Sequence, residues 1–219
     1  MHQLYEFVAG PLAWFAWGIF ILGCITRVAV LVITSANKDA VVINYFRFGY
    51  AVRSIAVWSI PFLPRNSRLH PVMTVVSFVF HICIIIVPLF ALGHVVLWEE
   101  SFGISFWHLP DRVTDIMTLI IFFSLAFFIG RRLLLKEVRY VSSANDFFIL
   151  GLVFAPFATG YAAYHGWFDA QLIMILHILS AEILLISIPF TRLIHMVFAF
   201  FTRSYTASEF GGIRNVKDW

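Results

Sequence analysis

The sequence predicts an all-α integral membrane protein built as a bundle of five transmembrane helices. Of its 219 residues, 61% are hydrophobic and only 12% are charged, whereas about a quarter of the residues of an ordinary soluble domain are charged. Several apolar stretches reach the roughly 20 residues that a helix needs to cross the hydrocarbon core of a bilayer. Only short polar breaks separate them, so we expect a single membrane domain over residues 1–219.

Five apolar stretches define the predicted spans, which lie at residues 9–34, 72–98, 113–134, 146–165 and 171–202. Each is expected to be helical, because lipid offers the backbone no hydrogen-bonding partner. The segment Val41–Leu63 is apolar but is interrupted by Arg47, Arg53 and Pro61. It therefore predicts an interfacial helix in the headgroup region, not a sixth crossing. The first span is expected to be retained, because residues 1–34 lack the basic start and cleavage site of a signal peptide.

Basic residues collect after the first, third and fifth spans, which is one predicted side of the membrane. They are Lys38, Arg47, Arg53, Arg65 and Arg68; Arg131, Arg132, Lys136 and Arg139; and Arg203, Arg214 and Lys217. The positive-inside rule therefore predicts the N-terminus outside and the C-terminus in the cytoplasm. Despite the net charge of +3, this clustering between apolar runs favours membrane lipid as the partner and argues against nucleic acid.

Four of the eight histidines lie well within predicted spans, where an ionisable side chain is costly and indicates a functional site. They are His81 and His94 in the second span and His177 and His195 in the fifth. Because these spans run antiparallel, His94 and His177 are expected near the outer end, and His81 and His195 nearer the cytoplasm. A bis-histidine haem needs two imidazoles at one depth on neighbouring helices. The pattern therefore predicts two non-covalent haems.

The spacing of the histidines differs between the two spans. His81 and His94 are 13 residues apart, and their proposed partners, His195 and His177, are 18 residues apart. Along straight helices these spacings correspond to about 20 and 27 Å. Kinks at Pro88 and Pro189 are expected to reconcile the two distances. His70, eleven residues before His81, is the alternative inner ligand. Any one of these histidines, taken alone, is more often just an interhelical hydrogen-bond partner.

Small and sulfur-containing residues refine this prediction. Gly93 directly precedes His94, where the missing side chain would admit a porphyrin edge, although small residues are also ordinary helix-packing devices. The two cysteines, Cys24 and Cys83, form no C-x-x-C-H, C-x-x-C or metal-binding spacing. Covalent haem and iron–sulfur ligation are therefore not expected, and each cysteine is expected to be a packed, reduced thiol.

Several motifs resemble the cytochrome b gamma subunit of respiratory nitrate reductase and the related membrane cytochromes b of sulfate-reducer redox complexes. The most specific is PFTRLIH, Pro189–His195, in the last span. The other matching elements are Phe201, Arg203 and Tyr205 after it, Phe80-His81-Ile82 and Gly93-His94 in the second span, and Arg131-Arg132-Leu133 and Val138-Arg139 before the fourth. The similarity covers nearly the whole chain and is weakest in the first span.

The resemblance implies two b haems, with His94 and His177 as axial ligands of the outer haem and His81 and His195 as ligands of the inner one. It implies a multi-pass, electron-transferring subunit of an oxidoreductase complex in the bacterial inner membrane. The expected partners are a cytoplasmic iron–sulfur subunit of heterodisulfide-reductase-like or ferredoxin-like type and, on the outer side, a quinone pool or a periplasmic multihaem cytochrome c.

The chain departs from the resembling family at the quinone site. The lysine that the nitrate reductase subunit uses has no counterpart after Leu109 and Pro110, where Ile116 takes the corresponding position. The nearest polar groups are Asp115 and Arg112, which are the candidates for a quinone or proton site with menaquinone as the quinone.

Two other function classes remain open. Buried histidines together with Glu182 in the fifth span would also serve a proton- or ion-conducting protein, but the chain lacks the internally related halves typical of transporters. A cofactor-free membrane anchor for a soluble enzyme is the second alternative. It gives no reason for histidines paired at two depths.

Overall fold

The structure, a computed structural model, describes residues 1–218, and every regular element in that range is helical. The longer helices are α1 (His2–Lys38), α2 (Phe48–Trp58), α3 (Pro71–Phe90), α4 (Leu92–Phe102), α5 (Asp111–Leu134), α6 (Ala144–Tyr164), α7 (Ala170–Ser187) and α8 (His195–Ala207). Shorter helical turns lie at Ala40–Asn44, Arg65–Leu69, Lys136–Tyr140, Ile188–Phe190 and Arg192–Ile194, and a π-helical segment, Ser208–Ile213, follows α8.

Five helical segments of the described chain are long and apolar enough to cross a membrane. They are His2–Lys38, Pro71–Phe90, Asp111–Leu134, Ala144–Tyr164 and Ala170–Phe190. Large apolar side chains along them remain exposed, among them Leu22 at 67% and Phe123 at 74%, as is expected of surfaces that face lipid. The prediction of an all-α chain with five membrane-spanning helices is confirmed, and the protein is a multi-pass membrane protein.

The second predicted span is divided between α3 and α4. Ala91 has an extended backbone (φ −66°, ψ 136°), and α4 begins at the next residue. The last carbonyls of α3 have no partner within the helix, but two of them are satisfied locally. The Leu109 N–H donates to the Phe90 carbonyl at 2.8 Å, and the His94 ring donates to that of Pro88 at 2.8 Å. The break is thus stabilised by the same histidine that was predicted to be a ligand.

The fifth predicted span is divided in a similar way between α7 and α8. Two short 3₁₀ turns separate these helices, and Thr191 between them is extended (φ −120°, ψ −177°). The Thr191 hydroxyl accepts the Leu193 N–H at 3.3 Å and so caps the second turn. Pro189, in the first turn, is buried against α1, where a Cβ added at Gly23 would lie only 2.7 Å from its Cγ. This close approach requires glycine.

The segment that was predicted to be interfacial contains α2, a helix of 11 residues. At 1.5 Å per residue this helix is about 16 Å long, roughly half of the hydrocarbon thickness, so it is too short to span the core alone. Ala51 and Ser54 are buried on the side that packs against α8. Phe48 and Val52 are exposed at 76% and 47%, which gives α2 an uncovered apolar edge.

The described chain forms two compact units. The first combines Met1–Thr74 with the C-terminal part from Ala181, and the second is Val75–Ser180. In the first unit the C-terminal segment is tied to α2. The buried carboxylate of Asp218 accepts a hydrogen bond from Ser54 and forms an ion pair of 3.5 Å with Arg203, whose guanidinium carbon lies 4.5 Å from the centre of the Trp58 ring.

In the second unit a capping box begins α6. The Ser143 N–H and hydroxyl donate to the Asp146 carboxylate at 2.8 and 3.1 Å, and the Ser143 side chain in turn accepts from the first turn of the helix. Asp146 is buried and also pairs with Arg132, at the end of α5, at 3.5 Å. The carboxylate therefore fixes the connection between α5 and α6.

Candidate functional site

Two of the four predicted ligands lie side by side in the second unit. His94 is in the first turn of α4 and His177 is near the middle of α7. Their ring centroids are 5.9 Å apart, and the ring planes are within 5° of parallel. Both side chains are half-buried. The structure thus brings together the two residues that were predicted to form the outer pair.

A backbone carbonyl holds one nitrogen of each ring. His94 Nδ1 lies 2.8 Å from the Pro88 oxygen, and His177 Nδ1 lies 2.9 Å from the Pro156 oxygen. A carbonyl oxygen can only accept, so Nδ1 carries the proton and Nε2 carries the lone pair of each neutral imidazole. Metal-ligating histidines almost always donate their second ring nitrogen in this way. Both rings are therefore in the tautomer in which Nε2 can bind a metal.

Helix α6 fixes the position of the His177 ring. The Thr159 hydroxyl lies 3.3 Å from His177 Nδ1 and 3.1 Å from the Ser180 hydroxyl. A Cβ added at Gly160 would lie 2.8 Å from His177 Cε1, a distance that real Cβ contacts essentially never show. The imidazole therefore lies against bare backbone, and its place depends on Gly160 remaining a glycine.

The separation of the two ring centroids is close to that of two imidazoles bound to one metal atom. An imidazole–metal bond of about 2 Å on each side, with the ring radii added, places the centroids of such a pair roughly 6 Å apart. The separation between His94 and His177 is 5.9 Å. Residues 1–218 contain no group of three or more His, Cys, Asp or Glu side chains that could hold a metal ion. A bis-histidine haem needs only two side chains, because the porphyrin supplies the other four nitrogens.

His81 and His195 belong to different units and are described separately. His81, on α3, is exposed, and its Nδ1 lies 2.7 Å from the Ser77 carbonyl oxygen. His195 begins α8, is also exposed, and has its Nδ1 2.8 Å from the Arg192 carbonyl oxygen. Each ring therefore has the same tautomer as the outer pair. Their pairing as inner ligands stays a prediction.

His70, the alternative inner ligand, and Gly93, which precedes His94, have different surroundings. His70 lies just before α3, with non-helical backbone angles (φ −128°, ψ 65°) and an exposed side chain. Because His70 is not helical, its spacing of eleven residues from His81 does not place the two side chains on one face of a helix. A Cβ added at Gly93 would meet no described atom within 4 Å, so packing within residues 1–218 does not require glycine there.

Asp115 pairs with a histidine fifty residues further along the chain. Its carboxylate lies 2.8 Å from His165 Nε2, and this hydrogen bond joins the start of α5 to the end of α6. The His165 ring also contacts Tyr161 and Trp167, with centroid distances of 4.3 and 5.7 Å. Arg112, the other polar candidate, is exposed and forms no ion pair with a described residue.

The sequence was compared with family models and with curated proteins. No family model matches it. A curated protein of Nitratidesulfovibrio vulgaris (strain Hildenborough) is 35% identical over 211 residues, which is 94% of this chain and 93% of that protein. The chain belongs to the same family as this protein. The match covers nearly the full length of both chains.

Three site residues of this family member were not identified from the sequence. Thr159 and Gly160 lie in an apolar span with several other small residues, and the only signal was that they adjoin Tyr161 at the depth of His177. His165 was not among the predicted ligands, because it was placed outside the spans, and its partner Asp115 is distant in sequence. Both kinds of contact, a small residue that faces a ligand and a hydrogen bond between distant helix ends, depend on the tertiary structure and not on the local sequence.

The two cysteines and Glu182, which lie in predicted spans, are buried. Cys24 and Cys83 are both free and buried, as predicted for packed thiols. Glu182 on α7 is 6% exposed, and neither of its carboxylate oxygens has a hydrogen-bond partner within residues 1–218. Within the described part of the chain, the Glu182 carboxyl group thus forms no hydrogen bond to another helix.

Proposed function

We propose that this chain is the di-haem b membrane subunit of a respiratory redox complex and transfers electrons across the membrane. The observation that supports this most directly is the His94–His177 pair, with parallel rings 5.9 Å apart and each Nδ1 bound to a backbone carbonyl. A membrane anchor without a cofactor needs no such arrangement. The same pair would be costly in lipid unless something bound between the helices used both lone pairs.

The outer haem is held by His94 and His177 in this proposal. When bound, it supplies a one-electron redox centre, whose chemistry belongs to the cofactor. The chain's own residues orient the ligands, since Thr159 and Gly160 fix the His177 ring. Gly93, which no described side chain covers, leaves room for the porphyrin edge.

The inner haem is assigned to His81 and His195, with His70 as the alternative to His81. The support is that both assigned rings donate Nδ1 to a backbone carbonyl, at 2.7 and 2.8 Å. His70 precedes the helix and lies beside Arg68, which favours a position among lipid headgroups.

The proposed topology has the N-terminus outside the bacterial inner membrane and the C-terminus in the cytoplasm. The distribution of basic residues supports it. Helix α2 lies in the cytoplasmic headgroup layer, which its short length and the exposed edge at Phe48 and Val52 support. The basic clusters then form one cytoplasmic face.

The partners follow from the resemblance to nitrate reductase gamma subunits and sulfate-reducer cytochromes. A cytoplasmic iron–sulfur subunit of heterodisulfide-reductase-like or ferredoxin-like type docks on the basic face. A periplasmic multihaem cytochrome c or the quinone pool exchanges electrons with the outer haem. Menaquinone is the candidate quinone.

If quinol is the donor, the Asp115–His165 pair is its proton acceptor. The support is the position of the pair at the end of α6, which also carries Gly160 against His177. An aromatic surface of Tyr161 and Trp167 adjoins it. Arg112 is exposed and plays no direct part.

The test of the haem assignment is the haem content of the purified chain, measured by pyridine haemochrome spectra. The wild-type chain is expected to carry two b haems. The variants His94→Ala, His177→Ala, His81→Ala and His195→Ala are each expected to lose or convert one. His108→Ala is the matched control, because His108 lies in the loop before α5, and it is expected to retain both.

Other outcomes would decide between the alternatives. A colourless protein with native helix content would overturn the cytochrome proposal in favour of an anchor. Proton flux into liposomes from the haem-free protein would favour the conducting alternative. Loss of the inner haem from His70→Ala, but not from His81→Ala, would identify His70 as the inner ligand in place of His81.

The quinol proposal has a separate test. Asp115→Asn is expected to slow haem reduction by a menaquinol analogue about a hundredfold, with no change in reduction by dithionite. Asp111→Asn, in the exposed first turn of the same helix, is the control. Equal quinol rates in the wild-type and Asp115→Asn proteins would exclude this pair as the acceptor.

A further inference from the structure

Arg27 places a positive charge within the first predicted span. It lies on α1, eleven residues before Lys38 at the end of that helix, or about 16 Å along the axis. Its side chain is exposed, and its guanidinium forms neither a hydrogen bond nor an ion pair with another residue in the described range 1–218. An arginine in a membrane span is costly unless another group meets its charge, so Arg27 indicates a functional contact.

The guanidinium of Arg27 contacts an aromatic ring on α8. Its carbon Cζ lies 5.7 Å from the centre of the Phe198 ring, and Phe198 is itself half-buried. A ring face attracts a cation, but it gives the five N–H donors of a guanidinium no oxygen to bind. The side chain is therefore positioned by Phe198, whereas its charge is not neutralised by it.

The packing of α1 fixes the place of Arg27 beside α8. Both helices belong to the first compact unit and pack against each other. One turn before Arg27, a Cβ added at Gly23 would lie 2.7 Å from Pro189 Cγ. This close approach sets the height of α1 against the segment that leads into α8, so the contact between Arg27 and Phe198 follows from the backbone packing.

Phe198 lies one helical turn from a proposed haem ligand. His195 and Phe198 are three residues apart on α8, and side chains at this spacing are neighbours on a helix surface. Arg27, which lies over Phe198, is therefore beside the face of α8 that carries His195. A haem extends well beyond its axial imidazole and has two propionate carboxylates at its rim. A carboxylate is the group that a guanidinium binds best, through paired hydrogen bonds.

We propose that Arg27 binds a propionate carboxylate of the haem held by His195 and thereby raises the reduction potential of that haem. This inference rests on the proposed function, because it needs the inner haem. A positive charge near a haem favours the reduced state, which carries one positive charge fewer than the oxidised state. Arg27 is thus a binding and tuning residue on a helix to which no ligand was assigned.

A redox titration of the purified full chain, followed by optical spectra, tests the proposal. Arg27→Gln is expected to lower the equilibrium constant for reduction of one haem about tenfold, which is a fall of about 59 mV in its midpoint potential. The other haem is expected to be unchanged. The same fall is expected in the His94→Ala background, which keeps the haem at His195. The propionate bending band of the resonance Raman spectrum is expected to shift as well.

Arg27→Lys separates the charge from the paired hydrogen bonds. It keeps the positive charge but not the planar pair of donors, so it is expected to shift the Raman band and to retain most of the potential. Melting followed by circular dichroism shows whether each variant is folded. If Arg27→Gln unfolds, an unchanged propionate band in Arg27→Lys would overturn the inference.

Lys38→Gln is the matched control. It removes one positive charge from the last residue of the same helix and is expected to leave both potentials and the propionate band unchanged. Two haems with wild-type potentials and bands in Arg27→Gln, or equal shifts in the two variants, would overturn this inference and leave the proposed function standing. Wild-type potentials together with a loss of co-purified anionic lipid would assign Arg27 to a lipid phosphate instead. A haem-free wild-type chain would overturn the proposed function and this inference with it.

Discussion

The four histidines predicted to be ligands share one local contact. In each of them Nδ1 lies 2.7 to 2.9 Å from a backbone carbonyl oxygen, so that Nε2 carries the lone pair. His165 differs, because its Nε2 binds the Asp115 carboxylate. The backbone contact at Nδ1 thus distinguishes the four predicted ligands from His165, whose Nε2 contacts a carboxylate.

At Gly160, a single methyl group is expected to remove the outer haem. The new Cβ of Gly160→Ala would lie 2.8 Å from His177 Cε1, so the ring would have to leave the Pro156 carbonyl. The pyridine haemochrome is expected to show one haem per chain instead of two, with unchanged helix content by circular dichroism.

Gly151→Ala is the control for this change. Gly151 lies on the same helix, and a Cβ there meets no described atom within 4 Å. This variant is expected to keep both haems. Two haems with unaltered potentials in Gly160→Ala would mean that α6 does not position the ligand.

Tyr205, which lies outside the predicted spans, makes the stability of the protein depend on pH. Its hydrogen bond to Asp39 raises the pKa of Tyr205 to about 12, with burial and the charges of Asp39 and Glu209 adding to the effect. An unfolded tyrosine titrates near 10. Because the folded-state pKa is the higher one, this bond stabilises the protein fully below about pH 10 and is lost as the pH rises towards 12.

The measurement is the difference in melting temperature between the wild-type protein and Tyr205→Phe. The difference is expected to be constant up to about pH 10 and to shrink above it. Tyr140→Phe is the control, because Tyr140 is 91% exposed. A difference that stays constant to pH 12 would contradict the assigned hydrogen bond.

For whole elements, the connection between α5 and α6 depends on Asp146. Ser143→Ala removes one capping contact and is expected to cost about 1 kcal/mol in the free energy of unfolding. Asp146→Ala also leaves Arg132 without its buried partner, so it is expected to cost about 2 kcal/mol or more. Chemical denaturation in detergent gives both values, and equal costs would mean that the ion pair at 3.5 Å contributes nothing.

The limits of sequence-based prediction are clearest at the helix breaks. Pro88 and Pro189 indicated kinks in the correct helices, but the chain turns extended at Ala91 and Thr191, after each proline. Those positions depend on partners such as the Leu109 N–H and the Gly23 surface, which only the folded chain supplies. Hydropathy therefore located the spans, whereas tertiary contacts decided where they are interrupted.

For the whole molecule, the proposed topology makes a direct prediction. Green fluorescent protein fused after the C-terminus is expected to fluoresce, and alkaline phosphatase at the same place is expected to be inactive, because the positive-inside rule puts this end in the cytoplasm. A fusion truncated in the loop between α6 and α7 is the control and is expected to give the reverse result. Active alkaline phosphatase at the C-terminus would invert the topology.

The histidines show how much of the candidate site could be predicted from the sequence of the whole molecule. The depth argument placed His94 next to His177 without any coordinates, because antiparallel spans fix which residues share a level. It had no means of finding His165, whose importance arises from Asp115 at the start of α5.

The break at Ala91 lies between His81 and His94, and the break at Thr191 lies between His177 and His195. Each of the two spans that carry proposed ligands is therefore interrupted between its two ligands. A rotation of the helix on one side of the break need not rotate the helix on the other side. In the proposed cytochrome, cofactor insertion then becomes two separate events. Cells starved of haem are expected to accumulate a half-loaded intermediate and not only empty and complete proteins.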